Sequence, residues 1–188
     1  SFTGQISESA IKSIKVEYFG SVAELNTKPL TLIAVSNLLK PFMESVNMVN
    51  ALSVAEGRGI AISETQTTVS NDWRSAIRVT VETESQTRTV TGSLFTGKEP
   101  RLVEVEGVQC EAALAPHMLF IRNDDKPGLI GSVGTLLGNA GQNIADFRLG
   151  RQAQEGRAIA LVSLDAALPD ELFKEISNLP QIQSVKRL

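Results

Sequence analysis

The run Asn123-Asp124-Asp125-Lys126-Pro127-Gly128-Leu129-Ile130, with the later turn Gly141-Gln142-Asn143-Ile144, holds the residues of this chain best suited to chemistry. That chemistry is binding. A Pro at a first helical position starts a helix cleanly, because its missing N–H would be unsatisfied there anyway. Pro127 is read in that role. The N–H groups of Gly128, Leu129 and Ile130 then face outward at the positive end of the helix dipole, where a carboxylate is favoured. Asp125, just upstream with Lys126, offers a carboxylate to an ammonium group. Donors for a carboxylate beside an acceptor for an ammonium are what a free amino acid needs. The same acids could also simply complement the helix dipole.

The helix that would present these donors carries Leu129, Ile130, Val133, Leu136, Leu137 and Ala140 on one face at 100° per residue, with Ser132, Thr135 and Asn139 opposite. Between them runs a stripe of Gly131, Gly134, Gly138 and Gly141. Each interior glycine costs roughly 1 kcal/mol against alanine, so the stripe implies another backbone packed close against it.

Residues for catalysis are scarce, and none is assigned. His117, the single histidine, falls at a strand start in Pro116-His117-Met118-Leu119-Phe120-Ile121 and reads as structural. Cys110 reads as a buried thiol. No Gly-x-Gly-x-x-Gly follows a strand, and no Walker loop or nucleophile elbow is present. The glycines of the helix have the wrong spacing for a dinucleotide.

The whole chain sets the frame for that site. With 188 residues, 42% of them hydrophobic, it is long enough for two modest cores. A net charge of −3 with scattered basic residues argues against nucleic acid as a partner. No apolar run is long enough to span a bilayer, and no signal peptide is visible, so neither membrane nor export is expected. One cysteine excludes an internal disulfide and any multi-cysteine metal site, and no metal site is assigned. The expected location is cytoplasmic.

Along the chain, residues 1–13 read as a linker or expression remnant. Ile14 to Phe19 alternates as a strand, Leu30 to Met43 and Met48 to Glu56 read as helices, and Pro41 kinks or ends the first of them. Ile60 to Gln66, Ser75 to Glu84, Thr87 to Phe95 and Arg101 to Glu106 read as strands, which makes residues 14–114 an α+β domain. Beyond Ala115-Pro116, residues 116–188 run strand (His117 to Asn123), helix (Pro127 to Ala140), strand (Asn143 to Gly150), strand (Arg157 to Leu164), helix (Pro169 to Leu179) and strand (Ile182 to Arg187). That order is βαββαβ, the ferredoxin-like plan, whose open sheet edges invite pairing with a second copy.

The segment Leu119 to Ile130 with Gly141-Gln142-Asn143-Ile144 resembles an ACT domain, the amino-acid-sensing module of metabolic enzymes. Ile14 to Gly20, Val46-Asn47-Met48-Val49-Asn50-Ala51, Gly92-Ser93-Leu94-Phe95 and Leu102-Val103-Glu104-Val105-Glu106-Gly107 are similar to the allosteric substrate-binding (ASB) domain of the long-form D-3-phosphoglycerate dehydrogenase family. The resemblance implies a C-terminal regulatory region of an NAD-dependent enzyme that begins serine synthesis. Its catalytic and NAD-binding parts would lie outside this chain, which carries no cofactor and has no activity alone. It also implies L-serine as effector, held by Asn123, Asp125 and the backbone near Gly128 to Ile130, with Asn143 reaching in from a neighbouring copy, in dimers or in a full-length tetramer. Asn123 departs from the aromatic or histidine that relatives often carry there. Arg101 matches one position of an anion site that some relatives have in the upstream domain. Two other readings stay open: the β part of an iron–sulfur L-serine dehydratase, and an oligomerisation module whose ACT site is vacant.

Overall fold

The structure, a computed structural model, describes residues 10–43, 45–69, 73–95, 98–152 and 157–188. The chain divides into two compact units, residues 1–106 and 107–188. Both combine helices with a sheet whose strands are mostly antiparallel, so the α+β class expected from the sequence holds.

The first unit contains β1 (Ile11–Gly20), a short 3-10 turn (Ser21–Glu24), α1 (Lys28–Leu39), α2 (Ala51–Gly57), β2 (Ala61–Thr67), β3 (Ser75–Thr83), β4 (Thr87–Phe95) and β5 (Glu99–Val105). Its strands lie in the order β2-β1-β3-β4-β5. Only β1 and β2 run parallel, and a parallel pair needs a crossover, which α1 and α2 provide. Alternation along β1 turns Ile14, Val16 and Tyr18 inward, each fully buried, against Val35, Leu38 and Leu39 of α1 and Ala51 and Ala55 of α2. Of the segment read as linker, residues 1–9 lie outside the described residues, while Ile11 to Ser13 already belong to β1. Helix α1 stops at Leu39, before Pro41, rather than reaching Met43.

The second unit contains β6 (Val108–Ala113), β7 (Met118–Asp124), α3 (Leu129–Asn139), β8 (Ile144–Gln152), β9 (Arg157–Leu164), α4 (Asp170–Ser177) and β10 (Ile182–Arg187). By the division at 106 and 107, β6 falls in this unit. From β7 onward the order is βαββαβ, and the sheet order β10-β7-β9-β8, antiparallel throughout, is the ferredoxin-like plan. One face carries Leu119, Ile121 and Val162 under Leu129, Val133 and Leu137 of α3 and Leu172 and Ile176 of α4. Against the other face lies β6, so close to β8 that a Cβ on Gly150 would stand 2.6 Å from the Gln109 carbonyl oxygen.

Helix α3 corrects two expectations. Its buried side is Leu129, Val133 and Leu137, whereas Ile130 is 55% exposed and Ala140 is exposed. The glycine stripe meets nothing: Cβ atoms on Gly131, Gly134, Gly138 or Gly141 would have no neighbour within 4 Å. Among the described residues, no backbone packs against that stripe.

Candidate functional site

Strand β7, an inner strand, delivers Asn123 and Asp124 to the end of the sheet just ahead of α3, and the chain runs on through Asp125 to Gly128. Pro127 does not open the helix. It sits one residue ahead of the N-cap, which is Gly128 at φ 105, a left-handed position that glycine adopts without strain. The helix therefore starts at Leu129. Ser132 N–H donates to the Gly128 carbonyl at 2.9 Å, so the N–H groups without an intrahelical acceptor are those of Leu129, Ile130 and Gly131. No side chain caps them.

Asn123 is 2% exposed. Its Nδ2 donates to the Asp124 carbonyl at 2.8 Å, and its Oδ1 is buried with no hydrogen-bond partner. Such an orphan acceptor costs about 1–3 kcal/mol. A second one lies close by: Gln181 Oε1 is also buried and unpartnered, and Gln181 Nε2 is 3.1 Å from where a Cβ on Gly128 would sit. The Gln181 carbonyl takes the Asp124 N–H at 2.9 Å, which pins β10 beside the loop.

The two aspartates of the loop are differently engaged. Asp124 accepts from Gln183 Nε2 at 2.7 Å and from Lys126 Nζ at 3.1 Å, and those bonds hold its carboxyl below the usual range. Lys126 is thus turned toward Asp124. Asp125 Oδ1 pairs with Arg151 Nε at 3.3 Å, with the two side chains 37% and 64% exposed. Arg151 lies one residue beyond the strand that the sequence pattern predicts, which ends at Gly150. The alternation Leu149-Gly150-Arg151 continues through Gln152 and was the available signal.

Asn143 is not brought to this loop within one chain. Its Nδ2 donates to Asp165 Oδ2 at 2.6 Å. It stands at the opposite end of β8 from Arg151, roughly 25 Å of strand away. Arg101 lies in the other unit, on β5 opposite Ser93. Its guanidinium pairs with Glu99 at 3.3 Å and stacks over Phe95 at 5.3 Å. Cys110 is 5% exposed, and burial pushes its thiol up to about 11, so it is a buried, inert thiol as expected. His117 is half-buried and gives its carbonyl to Leu164 N–H at 2.9 Å.

The amino end of α3 does not fit a nicotinamide dinucleotide. The glycines of α3 lie along its exposed flank, facing open space, and its amino end is reached through Asp125, Lys126 and Pro127 where a phosphate would need close backbone approach.

The model of the D-3-phosphoglycerate dehydrogenase intervening domain matches residues 1–106, the whole of the first compact unit. The chain belongs to this family. The intervening-domain family explains the upstream unit, and relatives extend the likeness to the second. A D-3-phosphoglycerate dehydrogenase of Bacillus subtilis is 35% identical over 187 residues, covering 99% of this chain and 36% of the relative. That of Synechocystis is 34% identical over 182 residues, covering 96% and 33%. That of Methanocaldococcus jannaschii is 29% identical over 182 residues, covering 96% and 34%. The chain thus spans about a third of the length of these relatives.

Proposed function

We propose that this chain is a regulatory part of a D-3-phosphoglycerate dehydrogenase, and that its second unit is an ACT domain binding L-serine for feedback control. The observation that carries the reading is the buried, unpartnered Oδ1 of Asn123 beside the uncapped amino end of α3. An acceptor that needs a donor, N–H groups that need an anion, and the Asp125 carboxylate together match the ammonium and carboxylate of one amino acid.

In this reading the site is completed by a second copy. Asn143 is too far along β8 to reach its own Asp125, so it contributes to the loop of a partner. The ligand stabilises the paired form to the extent that it binds that form better, as a dimer or within a full-length tetramer. The oxidation of 3-phosphoglycerate with NAD belongs to other parts of such an enzyme, in the cytoplasm. A serine dehydratase is disfavoured, because the three relatives named above are dehydrogenases throughout. A pairing module with a vacant site is the outcome that the experiment separates.

Thermal unfolding of the chain across a series of free amino acids tests this. A hundredfold excess over Kd adds about 2.7 kcal/mol to a site present only in the native state, which is several degrees of midpoint. L-serine raises the midpoint, and Asp125→Ala or Asn143→Ala abolishes the rise. No shift with any amino acid, with pairing intact, leaves the vacant module.

A further inference from the structure

Three registers place Arg151, Ala158, Asn123 and Ile182 on one rung across the second sheet. Arg151 pairs with Ala158, Ala158 with Asn123, and Asn123 with Ile182. Residues directly opposite in a sheet project to the same face. Leu149 and Ile121, two residues earlier on β8 and β7, pack into the core beneath the helices, so Arg151 and Asn123 lie on that same helix-side face. With strands about 4.8 Å apart, the backbones of Arg151 and Asn123 are roughly 10 Å apart. Between them is only the methyl group of Ala158, itself 2% exposed. The rung thus carries an exposed cation at one end, a buried carboxamide oxygen at the other and a small buried residue between.

Asp125 reaches the Arg151 end of this rung from the loop and is already paired with its guanidinium. A plain amine seeking Asp125 must displace that guanidinium and leave it unmatched. A zwitterion need not: its ammonium meets Asp125 and Asn123 Oδ1 while its carboxylate meets the guanidinium, so every charge keeps a partner. Arginine suits that role because its planar donors match a carboxylate side by side.

We propose that Arg151 is the residue that selects α-amino acids over amines at this site, by joining the N–H groups at the amino end of α3 in holding the ligand carboxylate beside Asp125. The proposal rests on the amino-acid reading above and adds a residue, a role and a selectivity to it.

Isothermal titration calorimetry of the 188-residue chain with L-serine and with ethanolamine, which is serine without its carboxylate, tests it. Arg151→Ala weakens L-serine by at least about tenfold, or 1.4 kcal/mol, and leaves ethanolamine unchanged or tighter. Arg151→Lys, keeping the charge without the planar donors, recovers part of the loss. The Arg151 side chain is 64% exposed, so its variants keep the fold, as circular dichroism will show. L-serine binding as tight or tighter in Arg151→Ala overturns the proposal and makes Arg151 a mere competitor for Asp125, while the amino-acid reading stands. A wild-type chain that binds neither compound overturns both.

Discussion

The Tyr18 hydroxyl meets Thr31 Oγ1 at 2.7 Å in the core of the first unit, joining β1 to α1 through a side chain with no exposure at all. Thr31 in turn donates to Glu64 Oε2 at 2.5 Å, and Glu64 also accepts from Thr27 and from Gln66, the latter at 3.1 Å. Edge strand β2 is thereby fastened to the helix that crosses over to it.

Acid should loosen this network. Burial pushes the Glu64 carboxyl up, but hydrogen bonds from Thr27, Thr31 and Gln66, with the charge of Lys28, outweigh it and hold the group below its ordinary value. A carboxyl lowered in the fold contributes stability that is fully present above its unfolded value and is lost as pH falls through the folded one. The urea midpoint will therefore fall in acid, and Glu64→Gln will flatten that dependence. Tyr18→Phe, which removes the donor to the Thr31 hydroxyl oxygen, will cost about 1 kcal/mol at neutral pH. An acid profile identical in wild type and Glu64→Gln refutes the assignment.

Two glycines of the second unit should respond in opposite directions. A Cβ on Gly150 would meet Gln109 O at 2.6 Å and Cys110 Cβ at 3.0 Å, and one of those contacts is backbone. Gly150→Ala will destabilise the chain by about 1–3 kcal/mol as β6 is forced off β8. Gly134, inside α3, has open space where its Cβ would go. Gly134→Ala will stabilise by up to about 1 kcal/mol through helix propensity and a less free unfolded chain. Midpoints in urea at low protein concentration give both signs. A loss of stability in Gly134→Ala that grows with protein concentration would show that a second copy packs on the glycine stripe after all.

The sheet order of the second unit was legible because its strands alternate and its helices have one apolar side: Leu119 and Ile121 against Val133 and Leu137 needed only periods of two and 3.6. The loop was legible as a binding loop for a different reason, the concentration of Asn, Asp and Gly in eight residues. What the sequence concealed depends on neighbours far away in the chain. Pro127 looked like a helix start, but the left-handed turn at Gly128 postponed the helix by two residues. Ile130 fits the apolar pattern and yet is 55% exposed. Arg151 and Gln181 join the loop through β8 and β10, and register across four strands is set by the whole sheet rather than by either segment.

Asn123 itself gives the sharpest test of whether the loop is built for a ligand. Its buried Oδ1 lacks a partner, and a buried acceptor left alone lowers stability. A residue kept for packing would have no reason to carry that cost, whereas one kept for binding would. Replacing it with an apolar side chain of similar size, Asn123→Leu, removes the orphan oxygen at the expense of one hydrogen bond to the Asp124 carbonyl. The variant's midpoint without ligand will equal or exceed that of wild type by up to about 1 kcal/mol, and its rise with L-serine will vanish. A fall of more than about 1.5 kcal/mol would mean that the carboxamide stabilises the fold, and stability gained with the serine response intact would remove Asn123 from the site and leave the ammonium to Asp125.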